Sequence, residues 1–307
     1  MSGARDGPAG GAGSVGVIGL GIMGGAIARN LVAAGHTVCG YDLDPTRMEA
    51  ARQNGAETVE SAGAVAARAK IVLTSLPSTQ ALDQVAAEIA TLSATDRTGL
   101  IVAELSTLPI DCKTANRDIL AKAEVILLDC PLSGTGAQAA VGDLVTYASG
   151  DEPSCRTCEP VFLAYGRACP YLGEFGNGTK MKFIANLLVA VHNVATAEAM
   201  LLGVRNGLDP NVLCEVAGSG AGGSRVFELR GPLMAREQYE PATMKLDIWQ
   251  KDMRLIREFA EASGSATPLL SACAPIYAAA VEAGRGHEDT AAVYEILKQL
   301  SGKKPRS

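Results

Sequence analysis

The chain has 307 residues, enough for two domains that each bury a core. Its 48% hydrophobic and 20% charged residues describe an ordinary soluble globular protein, and a net charge of −6 argues against nucleic acid as a partner. Its eight cysteines are scattered, several within apolar runs, which reads as reduced, buried thiols in a cytoplasmic protein.

Residues 1–14 are glycine-rich and too polar for a signal peptide, so they read as a flexible leader. Val15–Ile18 is a short apolar strand that runs directly into Gly19-Leu20-Gly21-Ile22-Met23-Gly24, and a helical pattern follows to Gly35. This places G-x-G-x-x-G between strand and helix, the context the motif needs. Gly19 permits the turn, Gly21 admits a pyrophosphate to the backbone, and Gly24 lets helix and strand pack closely. The helix N-terminus then offers free N–H groups to the phosphates. A second strand over 37–41 ends at Asp42, where a ribose-binding carboxylate belongs. Asp42 favours NAD, because it would repel the 2′-phosphate of NADP; Arg47, a few residues on, softens that repulsion.

Strands at 70–76, 100–105 and 125–128 then alternate with helices near 80–92 and 109–123, a pattern for a parallel sheet covered on both faces. Ligands of such sheets bind beyond the carboxyl ends of the strands. Leu76-Pro77-Ser78 stands at one such end, as a cofactor-lining loop or a plain strand exit. Ser106-Thr107 stands at the next. Ser133 and Gly134 provide a hydroxyl and amides suited to a carboxylate, or an ordinary turn. A strand over 144–148 and a helix over 153–166 complete this half. Cys155 and Cys158 form a C-x-x-C, but no second pair or nearby histidine completes a metal site; a shared surface helix turn is the simpler reading.

Residues 176–186, G-N-G-T-K-M-K-F-I-A-N, close the α/β half and open a helical one. Lys182 and Asn186 lie four apart, so both project from one helix face. Lys182 is either a lysine snorkelling from a helix end or a desolvated proton carrier. Residues 183–204 hold a single charge, Glu198, and read as a helix buried between other elements; Asn186, His192 and Asn193 argue against a membrane span. Asn206-Gly207 ends this helix and Asp209-Pro210 starts the next. The glycine-rich 218–224 lacks a preceding strand and a following lysine, so it reads as a close backbone passage. Helices follow at 245–262, 268–283 and 289–300. Apolar faces this extensive predict self-association, as a homodimer or homotetramer.

Taken together, these residues resemble the β-hydroxyacid dehydrogenase family, typified by 3-hydroxyisobutyrate dehydrogenase and related to 6-phosphogluconate dehydrogenase. The resemblance runs from about Val15 to about Leu300. It rests on G-L-G-I-M-G, on D-x-P-x-S-G at Asp129 to Gly134, on G-x-G-x-x-x-K-x-x-x-N at Gly176 to Asn186, and on Lys251-Asp252. Its register selects Lys182 over Lys180. Two departures stand out: Thr135 replaces a usual glycine, and Glu104-Leu-Ser106-Thr107 stands for the family's D-x-S-T.

The resemblance implies an α/β Rossmann-type domain over 15–179, then an all-α domain over 180–307 begun by a long interdomain helix. It implies NAD(P)-dependent, reversible oxidation of a small 3-hydroxy acid to its oxo acid or semialdehyde. Lys182 would be the general acid/base and Asn186 its orienting partner. Ser133, Gly134 and Thr135 would hold the substrate carboxylate. Gly19, Leu20, Gly21, Ile22, Met23, Gly24, Asp42, Leu76, Pro77, Thr107 and Lys251 would meet the cofactor. No metal is implied. Two alternatives remain open: an imine reductase-like enzyme, whose relatives usually carry an acid or tyrosine at this lysine, and a non-catalytic NAD-binding assembly module.

Overall fold

The computed structural model describes residues 14–302. The leader expected over 1–14 lies, Ser14 apart, outside them. The chain divides into two compact units that meet in sequence at Thr179 and Lys180.

In the first unit, strands β1 (Val15–Ile18), β2 (Val38–Tyr41), β3 (Glu57–Thr58), β4 (Ile71–Thr74), β5 (Ile101–Glu104) and β6 (Ile126–Asp129) form one sheet. Their spatial order is β3-β2-β1-β4-β5-β6 and every pairing is parallel. This is the doubly wound dinucleotide-binding order, with the reversal beside β1. Successive side chains of a strand point to opposite faces, and each face here has its own core. Val15, Val17, Leu73, Ala103 and Leu128 pack on one side, among residues of the helices α1 (Ile22–Ala33) and α8 (Glu152–Tyr165). Ile18, Val72, Val102 and Leu127 pack on the other, among residues of α3 (Ala62–Ala66), α4 (Thr79–Ala90) and α6 (Ile110–Lys122). Two further helices, α2 (Pro45–Gln53) and α5 (Ala94–Arg97), lie between strands in the sequence.

The strand expected over 144–148 is β8 (Leu144–Thr146), which belongs to a second, small sheet. There it pairs antiparallel with β7 (Leu132–Ser133) and parallel with β9 (Gly166–Ala168). β3, β7 and β9 escape the sequence pattern because two or three residues carry no hydrophobic period. Between β7 and β8 runs a short helix, α7 (Gly136–Ala140), packed on α1.

The helix α9 (Asn177–Arg205) starts in the first unit and continues into the second. It is long and apolar enough, by length and composition, to cross a membrane, with a mean hydropathy of 1.7 over an 18-residue stretch. Its buried stripe nevertheless carries Lys182, Asn186 and Asn193. The Asn193 amide donates to Tyr277 Oη and the Thr290 carbonyl, both at 2.9 Å, as in a core helix. The expectation of burial all round is corrected: Met181, Ile184, Leu188 and Leu202 are exposed. Composition does not reveal that one stripe of an apolar helix lacks a neighbour among the described residues.

The second unit continues with α10 (Pro210–Ser219), α11 (Arg225–Arg236), α12 (Leu246–Ala262), α13 (Pro268–Ala280) and α14 (Val293–Leu300). Gly231 and Pro232 sit inside α11, and such breakers hide a helix from pattern reading. The glycine-rich 218–224 spans the last residues of α10 and the turn to α11, where a Cβ on Gly223 would lie 2.2 Å from the Gly218 carbonyl oxygen.

Asp289 ties this unit together. Its buried carboxylate accepts from Thr243 N (2.8 Å), Thr243 Oγ1 (2.6 Å) and Ala291 N (3.0 Å), and it pairs with buried Arg230 at 3.4 Å. Burial works to raise the Asp289 pKa, but Arg230 and these donors outweigh it, so the pKa is lowered. The pair therefore stabilises the fold fully above an ordinary aspartate pKa of about 3.9. That stability is lost as pH falls below it. Asp289→Ala should cost about 3–5 kcal/mol in urea unfolding at neutral pH, with the deficit shrinking in acid.

Candidate active site

The turn between β1 and α1 is built by contact between its own glycines. A Cβ on Gly24 would lie 1.8 Å from the Gly19 carbonyl oxygen, and one on Gly19 would lie 2.2 Å from the Ser75 carbonyl oxygen. α1 therefore starts directly against β1 and β4, with its first N–H groups directed outward beyond the strands. Gly21 is open, the nearest side-chain atom to its Cβ position being Arg47 Nη1 at 3.8 Å.

Asp42 follows β2 and its carboxylate is held by backbone. Leu20 N donates to Oδ2 at 2.7 Å and Asp44 N to Oδ1 at 2.9 Å. Arg47 Nη1 lies 3.4 Å from Oδ2. The acid is thereby fixed beside the glycine turn, with oxygen lone pairs left for hydroxyl donors. Leu76, after β4, donates its N–H to Ser106 Oγ at 2.7 Å, and Ser106 donates its own N–H to Glu104 Oε1 at 2.9 Å. The loops after β4 and β5, which carry Leu76-Pro77 and Thr107, are thus tied to each other. A dinucleotide would find here a helix N-terminus for its phosphates and a fixed carboxylate for its ribose.

Ser133 ends β7 and Gly134 follows it. Thr135 is the N-cap of α7, in a reciprocal capping box with Gln138. Gln138 Oε1 accepts from Thr135 N at 3.0 Å, and Thr135 Oγ1 accepts from Gln138 N at 3.5 Å. Both the amide and the hydroxyl of Thr135 are therefore engaged inside α7. Whatever Thr135 does for a ligand, its first task is to start this helix.

In the second unit Lys182 is buried and Lys180 is exposed. Asn186, one turn on, donates from Nδ2 to Asp252 Oδ2 at 2.9 Å. Lys251 Nζ lies 3.8 Å from Asp252 Oδ1. Burial lowers the Lys182 pKa, Asp252 opposes that, and Lys251 adds to it. Burial likewise raises the pKa of Asp252, against Lys182, Lys251 and the Asn186 amide. The unit therefore brings Lys182, Asn186, Lys251 and Asp252 into one cluster whose lysine releases a proton more readily than a solvated lysine.

The sequence motif Lys251-Asp252 was read for its lysine, yet Asp252 makes the hydrogen bond to Asn186. Its signal was placement on the buried stripe of α12, with Trp249, Met253 and Ile256. Lys113 was also missed. It is fully buried on the inner face of α6 with Asn116 and Leu120, a lysine at an apolar-face position. Its Nζ lies 2.6 Å from Glu104 Oε2, 2.8 Å from Asp129 Oδ1 and 2.7 Å from the Ser106 carbonyl oxygen.

Cys155 and Cys158 are buried on α8, which corrects the reading of a surface turn. Burial pushes both thiols up to about 12, leaving almost no thiolate at neutral pH. Among the described residues, no group of three or more His, Cys, Asp or Glu side chains is arranged to hold a metal ion.

Comparison with known proteins identifies the family. The family model described as the NAD binding domain of 6-phosphogluconate dehydrogenase matches residues 14–173. That described as NAD-binding of NADP-dependent 3-hydroxyisobutyrate dehydrogenase matches 176–297. The chain is 34% identical to L-threonate dehydrogenase of Cupriavidus necator, over 94% of this chain and 98% of that one. It is 32% identical to NAD-dependent L-serine dehydrogenase of Pseudomonas aeruginosa, over 93% and 98%. Among solved structures, the Mycobacterium tuberculosis 3-hydroxyisobutyrate dehydrogenase with L-serine superposes with a TM-score of 0.83 at 27% identity, over 94% of this chain and 99% of that one. The chain belongs to the β-hydroxyacid dehydrogenase family, and is an NAD(P)-dependent oxidoreductase acting on the CH–OH group of hydroxy acids.

The glycine contacts make a direct prediction. Gly24→Ala forces a methyl group into the Gly19 carbonyl and should cost about 1–3 kcal/mol in stability. It should also weaken dinucleotide binding at least tenfold, read by calorimetric titration with NAD and NADP.

Proposed function

We propose that this protein interconverts a small 3-hydroxy acid with its oxo acid or semialdehyde, using NAD, and that Lys182 is the general acid/base. The observation that carries the reading is the buried Lys182, its pKa lowered, beside the Asn186–Asp252 hydrogen bond. A neutral Lys182 Nζ takes the proton from the substrate hydroxyl in oxidation, and the ammonium returns it in reduction. When bound, the nicotinamide cofactor accepts or supplies the hydride. Asn186, held by Asp252, orients the reacting oxygen. Ser133 Oγ and the Gly134 amide bind the substrate carboxylate, with Thr135 holding the loop through its cap. The glycine turn from Gly19 to Gly24, Asp42, Leu76, Pro77 and Thr107 bind the cofactor, and Lys251 closes over it.

The relatives act, by name, on L-threonate, L-serine and 3-hydroxyisobutyrate, so a short carboxylate bearing a nearby hydroxyl is the substrate class we assign. NAD is favoured because the Asp42 carboxyl, fixed by the Leu20 and Asp44 amides, stands where a 2′-phosphate would come, with Arg47 only partly offsetting it. The exposed apolar stripe of α9 and exposed Leu208, Val212 and Val216 support a homodimer or homotetramer. Eight free cysteines fit the reducing cytoplasm.

Lys182→Ala should lose at least 1,000-fold in kcat with NAD affinity unchanged. Near-normal turnover would refute the assignment. In the parent enzyme, oxidation should rise with pH through the Lys182 pKa and level off below about 10.4, the value of an unperturbed lysine, while reduction falls over the same range. A panel of L-serine, L-threonate and 3-hydroxyisobutyrate assayed with each cofactor settles substrate and preference. Tenfold better use of NADP would overturn the role given to Asp42.

A further inference from the structure

The carboxyl ends of β5 and β6 present an electrostatic problem. Glu104 and Asp129 are directly paired in the parallel register, and both are fully buried. Two carboxylates side by side in a low-dielectric interior repel strongly and cannot both stay charged without a counter-ion. Lys113 is that counter-ion, and among the described residues of the first unit it is the only buried lysine or arginine. Burial works to lower its pKa, and Asp129 with Glu104 more than reverses this, so it stays an ammonium.

Lys113 reaches Asp129 through Oδ1, which leaves Oδ2 to find another donor. The start of α9 supplies it. Asp129 Oδ2 accepts from Thr179 N and Oδ1 from Thr179 Oγ1, each at 2.7 Å. Ser149 Oγ accepts from Gly178 N at 2.9 Å and donates to the Asp129 carbonyl at 2.9 Å. Asp129 thus caps α9 from another element, where the helix dipole favours an anion. Gly178 leaves no other path for the backbone, since a Cβ there would lie 2.4 Å from the Tyr147 carbonyl oxygen. Thr179 precedes Lys182 by three residues, less than one turn.

We propose that Lys113 is a positioning residue for the reaction. Its ammonium bridges Glu104 and Asp129 and fixes where they lie, so that Asp129 locks the first turn of α9 and, with it, the Lys182 backbone. The same ammonium binds the Ser106 carbonyl, whose residue holds the Leu76 loop, so one buried charge sets three segments assigned to the site. A few tenths of an ångström of freedom at a proton-transfer group lowers rate far more than it lowers binding. This inference rests on the general acid/base role proposed for Lys182.

The test uses Thr179→Val, which removes one hydroxyl bond and keeps the backbone one, together with Lys113→Met. Lys182→Ala is measured in parallel. Thr179→Val should fold normally, bind NAD within twofold of the parent, and lose roughly tenfold in kcat. The acidic limb of its oxidation profile should move to higher pH, because a looser Lys182 regains water and the desolvation that lowers its pKa weakens. Without substrate or cofactor, the amides of residues 178–183 should exchange with deuterium faster in both variants. Lys113→Met should show the same limb shift in its folded fraction, with a lower melting temperature. If Lys182→Ala is inactive while Thr179→Val and Lys113→Met keep the parental kcat, pH limb and exchange, this inference alone falls. If Lys182→Ala turns over normally, the role of Lys182 falls and this inference with it.

Discussion

Side by side at the ends of β5 and β6, Glu104 and Asp129 are two buried carboxylates that the parallel register forces together, and Lys113 is the charge that lets them coexist. Much of the first unit leans on that arrangement. The Lys113 ammonium bonds the Ser106 carbonyl, Ser106 holds Leu76, and Asp129 caps the helix that leads to Lys182. A buried ion pair is rarely a net source of stability, because desolvation of the charges offsets their attraction. Its value here is geometric. It specifies where three backbone segments lie, and apolar packing alone would leave them freer to slide.

The second unit treats charge differently. Lys182 and Asp252 are both buried, and burial pushes each toward its neutral form. Asn186 bridges to Asp252 and so keeps the pair from being a simple salt bridge. Such an environment suits a group that must hold and release a proton within one turnover. By contrast Asp289, paired with Arg230 and several donors, has its pKa lowered and stays ionised. One unit therefore holds a structural carboxylate and a protonation-sensitive cluster, distinguished by the number of donors each carboxylate receives.

Much of this was legible in the sequence. Strands β1, β2, β4, β5 and β6 declared themselves as apolar runs, and the glycine turn with Asp42 named its ligand class by spacing. Lys182 was selected over Lys180 from motif register, and the structure leaves Lys180 exposed and Lys182 buried. Elements without a hydrophobic period were not legible. α11 carries a glycine and a proline in its interior, and α7 is a five-residue helix hidden in what looked like a loop. Thr135, which looked like an intrusion into a substrate loop, is the residue that caps that helix.

The sequence alone determined fold class, cofactor class and the helix bearing Lys182, because each follows from local spacing: strand, turn and helix around three glycines, and a four-residue interval on one helix face. Only the tertiary structure decided which charges meet. Lys113, Glu104 and Asp129 are brought together by strand register and by the packing of α6, and Asn186 meets Asp252 across 66 positions of sequence. No local period encodes such a meeting. It arises because a buried charge must find a partner, and the partner is chosen by the fold.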